Sequence, residues 1–283
     1  DLNNLTDITL GKKFAALTGI THQEMLDYFP EHIEALQKEM QDYFDKIVPA
    51  IKDEYFGYSW DGKTYLYNPF TLLSLFNNLE FGDHWFRTGT PTFLMKLVRE
   101  KQYSALDIEN TTLSASMLDK YEIENISLIP LLFQTGYLTI TDFNFFRQTI
   151  TLNYPNREVA RAFRIHLLAN MNSGETVKTD ALLVKMTDAM EENHLEKFME
   201  LFNTLLKGIA YPMAEPQENY FHSVFYLVIR MLGFYIDCEI MTIDGRVDAV
   251  VRTDKNIYIM EFKTRNTQKA IEQIREKGYH QKY

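Results

Sequence analysis

Two apolar runs rich in Val and Ile, Arg246–Arg252 and Ile257–Lys263, are separated by only four residues, Thr253-Asp254-Lys255-Asn256. Such runs on either side of a short polar stretch predict an antiparallel hairpin. A four-residue turn fixes the register by pairing Arg252 with Ile257. Counting back from that pair sets Asp248 opposite Glu261, and strand alternation puts Lys263 on the same face as Glu261. Two carboxylates side by side repel, by roughly 0.2–1 kcal/mol at an exposed sheet position and by more between runs this apolar. A hard divalent cation resolves the conflict. Mg²⁺ (or Mn²⁺) takes one or two carboxylates and leaves its other positions to water and substrate oxygens. Lys263 can then orient or deprotonate a metal-bound water, or steady charge developing on a phosphate. Glu-x-Lys on a strand is by itself an ordinary charge pair; the matched Asp248 and the order of the neighbouring elements point to metal chemistry.

Those neighbours form a clear series. Glu218–Leu232 reads as a helix ended by Gly233, Phe234–Thr242 as a strand, the hairpin follows, and Thr267–Gly278 reads as a closing helix. Ala210–Gln217 holds two prolines and no periodicity, so the expected domain boundary lies there: a region 1–209, then a domain 210–283.

The first region reads as mostly helical with small β-hairpins. Thr21 and Glu24 form a capping box that opens His22–Phe29. A long amphipathic stripe follows through Ile33, Leu36, Met40, Tyr43, Phe44, Ile47 and Val48. Asp61-Gly62, between Tyr55–Trp60 and Lys63–Tyr67, predicts a hairpin with a two-residue type I′ turn. Pro69 and Pro91 stand at first helical positions for Phe70–Leu79 and Thr92–Lys101, whose apolar residues read as core rather than as a ligand pocket. Ser127–Gln134 ends at Gly136 and precedes two strands, Tyr137–Thr141 and Gln148–Tyr154. A helix followed by a two-stranded wing is similar to a winged-helix element, over about 106–157. Arg157–Ile209 reads as helix with two interruptions. The expected fold class is therefore mixed α and β.

Composition narrows the function. The chain of 283 residues carries 39 Asp and Glu against 29 Lys and Arg, which excludes a general nucleic-acid coat. The excess reverses locally, since residues 241–283 hold nine basic and six acidic residues. Lys255, Arg265, Lys269, Arg275 and Lys277 are the candidate phosphate contacts there. Cys238 is the single cysteine, so no disulfide framework forms and a reducing, cytoplasmic setting is expected. No apolar run is long enough to predict a membrane span.

Arg246-Val-Asp248 followed by Ile259-Met-Glu261-Phe-Lys263 resembles the PD-(D/E)xK nuclease signature. The helix before it, and Gln273 in Ile271-Glu-Gln-Ile after it, resemble that superfamily's core order, in which helix, three strands and helix build a restriction-endonuclease-like α/β domain. Tyr220-Phe-His222 through Lys277-Gly-Tyr279 is similar to the C-terminal nuclease domain of bacterial AAA-ATPase-like proteins. Tyr67-Asn-Pro69-Phe70 and Thr88-Gly-Thr-Pro91-Thr-Phe93-Leu94 resemble the late, helical lid part of that family's ATPase region. The resemblance implies metal-dependent hydrolysis of nucleic-acid phosphodiesters, with DNA the expected partner. It makes Asp248 and Glu261 metal ligands, Lys263 the catalytic lysine and Gln273 an accessory residue. Glu218 and His222 match a position where some superfamily members carry a further acid or histidine.

Two departures qualify the resemblance. No stretch matches a P-loop, because Gly11-Lys12-Lys13 lacks the upstream glycine and the hydroxyl residue, so this chain is expected not to bind ATP in the family's way. The chain starts at Asp1, which suggests a piece of something longer. It stops at Tyr283, where the superfamily core expects a further strand, so an exposed sheet edge is expected. The competing reading keeps the nuclease fold as a scaffold and assigns the chain a non-catalytic binding role.

Overall fold

The structure is a computed structural model that describes residues 8–85, 92–101, 103, 105–118, 127–172, 175–208, 218–233, 237–243, 246–253 and 255–261. Two compact units emerge, Asp1–Tyr103 with Asp107–Phe163, and Ser104–Leu106 with Arg164–Tyr283.

The first unit opens with β1 (Ile20–Thr21) and α1 (His22–Tyr28). The capping box is present: Thr21 N–H donates to Glu24 Oε2 at 2.8 Å, and Glu24 N–H donates to Thr21 Oγ1 at 3.2 Å. The long stripe, however, is two helices, α2 (Pro30–Glu39) and α3 (Ile47–Tyr55). Pro49 explains the break, because it lacks an N–H and is tolerated only in a first turn, which is where it sits. Gln37 bridges the gap, donating to the Phe44 carbonyl at 3.0 Å and accepting from Ile47 N–H at 2.7 Å. Tyr43, expected in the stripe, is therefore exposed.

The next hairpin also differs from expectation. β2 (Phe56–Tyr58) and β3 (Leu66–Tyr67) enclose a loop wider than a two-residue turn, and β3 also pairs with β1. Asp61 organises that loop by accepting from the N–H groups of Lys63 (2.9 Å) and Thr64 (2.7 Å). Those bonds compete with the narrow I′ geometry and win. α4 (Pro69–Asn78) starts as expected, with Asn68 Oδ1 accepting from Phe70 N–H at 2.9 Å. Met25, Leu36, Ile51, Tyr55, Tyr67, Leu72 and Leu75 are all fully buried in one cluster. Each such aliphatic side chain contributes about 1.5–3 kcal/mol by leaving water.

α5 (Thr92–Glu100) and α6 (Ala105–Ile108) lead to β4 (Thr111–Ser114). Leu94, Met95, Leu97 and Val98 of α5 are buried core. α7 (Leu128–Gln134) ends before Gly136, whose φ of +80° is a left-handed value that glycine adopts freely. β5 (Thr139–Asn144) and β6 (Thr149–Asn153) follow, giving a sheet ordered β4-β6-β5.

α8 (Arg157–Met171), α9 (Thr176–Glu191) and α10 (Leu195–Gly208) supply the long helical stretch. One interruption, expected near Glu192-Asn193, falls between α9 and α10; the other, expected at Asn172-Ser173-Gly174, includes residues outside those described. α11 (Glu218–Leu232) and the strands β7 (Asp237–Ile243), β8 (Arg246–Arg252) and β9 (Ile257–Glu261) complete the described chain. The expected boundary at Ala210–Gln217 lies outside the described residues. Within the second unit, packing joins α9 and α10 to the elements that follow that segment, because α9 packs on both α10 and α11.

Candidate active site

α11 is apolar around much of its circumference. Val224, Phe225, Leu227, Val228, Ile229 and Leu232 are all buried, which requires neighbours on more than one side. It finds them in α9 on the one hand and in β7 and β8 on the other. The sheet is ordered β7-β8-β9, so β8 is central. Its adjacent residues Val250 and Val251 are both buried, and adjacent strand residues face opposite ways, so both faces of the sheet are covered there.

The hairpin turn is closed by Thr253 N–H donating to the Asn256 carbonyl at 2.9 Å, while Asn256 N–H donates to Thr253 Oγ1 at 3.1 Å. The Thr253 side chain thus locks the four-residue turn and excludes a longer one. Arg252 pairs with Ile257 and the ladder runs back without a shift to Asp248 opposite Glu261. On its other side Asp248 faces Met241 of β7. A further tie holds β9: Tyr258 Oη lies 3.1 Å from the Met190 carbonyl and 2.7 Å from Asn193 Oδ1, at the end of α9. The register that sets the two carboxylate residues against each other is therefore fixed at the turn and along the strand.

Asp and Glu supply oxygen donors of the kind that a hard divalent cation takes, and the register sets one of each opposite the other. Among the described residues no group of three or more His, Cys, Asp or Glu clusters to hold an ion. Lys255 is exposed in the turn, and Glu218 and His222 stand four residues apart at the start of α11. Lys263, Arg265, Lys269, Gln273, Arg275 and Lys277 lie outside the described residues, as does the closing helix expected over Thr267–Gly278.

Residues 216–283 match the family model of the PD-(D/E)XK nuclease superfamily. That segment is a PD-(D/E)XK nuclease superfamily domain. The chain is also 32% identical, over 293 aligned residues, to an uncharacterized protein in the vnfD 5' region of Azotobacter chroococcum mcd 1. The alignment covers all of this chain and 54% of that relative, so the chain spans about half the length of the protein it matches. No solved structure matches. Among the described residues no helix is long and apolar enough to cross a membrane.

Sequence reading missed a second concentration of charge, in the first unit. Glu158 is 1% exposed and accepts from Trp85 N–H at 2.6 Å and from the Thr71 hydroxyl at 3.3 Å. One turn on, Arg161 Nη2 lies 2.7 Å from Glu54 Oε1 and 2.5 Å from Asp83 Oδ1. Burial, with the negative charges of Asp83 and Glu54 adding to it, pushes the Glu158 carboxyl up to about 7 against the donated bonds. Burial works against the Arg161 charge, but Glu54 and Asp83 more than offset it and hold the guanidinium protonated. The i, i+3 spacing of Glu158 and Arg161 looks like a solvated helix face in the sequence. Only partners more than 70 residues away reveal it as interior.

Proposed function

We propose that the C-terminal domain is a metal-dependent nuclease that hydrolyses phosphodiester bonds of DNA. The observation that carries the reading is the opposed register of Asp248 and Glu261 within a segment matching the PD-(D/E)XK superfamily. Asp248 and Glu261 would hold Mg²⁺ or Mn²⁺, and the ion would supply Lewis-acid stabilisation and an acidified water. Lys263, two positions beyond Glu261, orients the attacking water or neutralises charge gathering on the phosphate. Gln273 assists at the same site, and Glu218 and His222 are further candidates from α11. Lys255, Arg265, Lys269, Arg275 and Lys277 contribute phosphate contacts. On this reading residues 1–209 are the non-P-loop part of an AAA-like ATPase and bind no ATP. Residues 106–157 serve as a winged-helix element, supported by α7 preceding the β5–β6 hairpin and by β4 pairing with β6.

The test separates ligand from lysine. Asp248→Asn should lose Mn²⁺ affinity and cleavage together, because it removes a charged ligand. Lys263→Ala should keep Mn²⁺ binding and lose cleavage. Calorimetric titration beside a nuclease assay reads both, and an Asp248→Asn protein that cleaves like the parent refutes the assignment.

A further inference from the structure

The tip of the β5–β6 hairpin spends structure on keeping two phenylalanines in water. Asn144 pairs with Thr149, and the four residues between them form the turn. Arg147 N–H donates to Asn144 Oδ1 at 3.0 Å, and Gln148 Nε2 donates to the Phe145 carbonyl at 2.5 Å. Gln148 sits at φ +50°, a left-handed value costly for a side-chain-bearing residue. These constraints hold Phe145 at 65% and Phe146 at 96% exposure, edge to face with centroids 6.0 Å apart. Lys12 Nζ lies 6.0 Å from the centre of the Phe145 ring, and Lys13 follows it in the chain.

Charge identifies the occupant. Residues 8–23 and 143–157 contain no Asp or Glu, in a chain whose formal charge is −10, yet they carry Lys12, Lys13, Arg147 and Arg157, the last of which pairs with Asp53 and Glu54. Ammonium groups beside bare rings suit a ligand that is flat, apolar on its faces and anionic along its length. A protein-interface core fits less well, since such cores are depleted in Lys and need a broader apolar patch than two rings. We propose that this tip stacks the bases of unpaired nucleic acid, a single strand or a frayed duplex end, while Lys12, Lys13 and Arg147 meet its phosphates. Aromatic stacking of this kind tolerates any sequence, because every base has a π-face. The stacking site stands on the first unit alone; that the captured strand is also the substrate rests on the nuclease reading.

Binding of the full chain to labelled oligo(dT) and to a blunt duplex, in EDTA to suppress cleavage, tests the proposal by fluorescence anisotropy. The double variant Phe145→Ala/Phe146→Ala should weaken oligo(dT) binding by roughly tenfold or more. Phe145→Tyr/Phe146→Tyr should restore it, and duplex binding should change little. Lys12→Glu/Lys13→Glu should weaken binding and reduce its salt dependence. Unchanged oligo(dT) affinity in the Phe→Ala variant overturns the proposal, as does Phe-dependent capture of a protein or of lipid vesicles without oligo(dT) binding. Phe-dependent binding by a chain that cleaves nothing with Mn²⁺ leaves the stacking site standing and sinks the nuclease reading. Cleavage with Phe-independent binding does the reverse.

Discussion

Two regions of this chain bring acidic residues together, and they resolve the resulting repulsion differently. Around Glu158 the protein supplies its own compensation: Trp85 N–H and the Thr71 hydroxyl serve Glu158, while Arg161 serves Glu54 and Asp83. Every partner is a fixed part of the fold, so the cluster is structural. At Asp248 and Glu261 the ladder opposes two residues of like charge on the rung farthest from the turn. There the proposal places the compensating charge outside the chain, on a cation. Acidic clusters therefore differ in who answers the charge, and an answer left to solvent or ligand is what makes a site.

The largest expected effect lies on the second region. If its charge is answered by an ion, Asp248→Asn should lower cleavage by at least about 100-fold while leaving the unfolding midpoint near that of the parent. Without an ion the two carboxylates would only repel, so the same substitution would hold or raise the unfolding midpoint and leave cleavage near that of the parent. On the first region the order inverts. Arg161→Met strands Glu54 and Asp83 and should cost about 2–3 kcal/mol in urea unfolding, below the about 3–5 kcal/mol of a fully buried pair because Asp83 is half-exposed. It should not change Mn²⁺ affinity.

A pH dependence sharpens the comparison further. The Glu158 carboxyl is raised to about 7 in the folded protein from an ordinary value of 4.5. Between those values the folded state keeps a proton that the unfolded chain has released. Stability from this group is thus complete below pH 4.5 and declines as pH rises towards 7, by at most about 1.4 kcal/mol per unit. Glu158→Gln should flatten that slope in unfolding curves measured at pH 5 and pH 8. Thr71→Val gives the smallest effect: removing a donor to the charged form should move the transition up by less than about one pH unit.

Legibility followed the distance over which the physics acts. The capping box at Thr21 and Glu24, the helix start at Pro69, and the four-residue turn at 253–256 are all decided by neighbours a few residues apart, and each is present in the structure. Local competition misled in two places. Pro49 broke a stripe that the apolar spacing made continuous, and Asp61 drew two N–H groups to itself and widened a turn. The Glu158 cluster was invisible because Trp85 and Asp83 lie 73 and 78 residues from their partners. Of the candidate site, the register was legible from turn length and strand period; the role of Lys263 followed from its place beside Glu261, that of Gln273 came from resemblance, and both stand as proposals.

We propose that a metal ion answers the paired charges of Asp248 and Glu261. A crystal of the chain soaked in Mn²⁺ tests it most directly, through anomalous scattering. An anomalous peak is expected within about 2–2.5 Å of an oxygen from each of the two carboxylates, absent from crystals of Asp248→Asn. Two carboxylates turned to opposite faces of the sheet, with no peak between them, would contradict it.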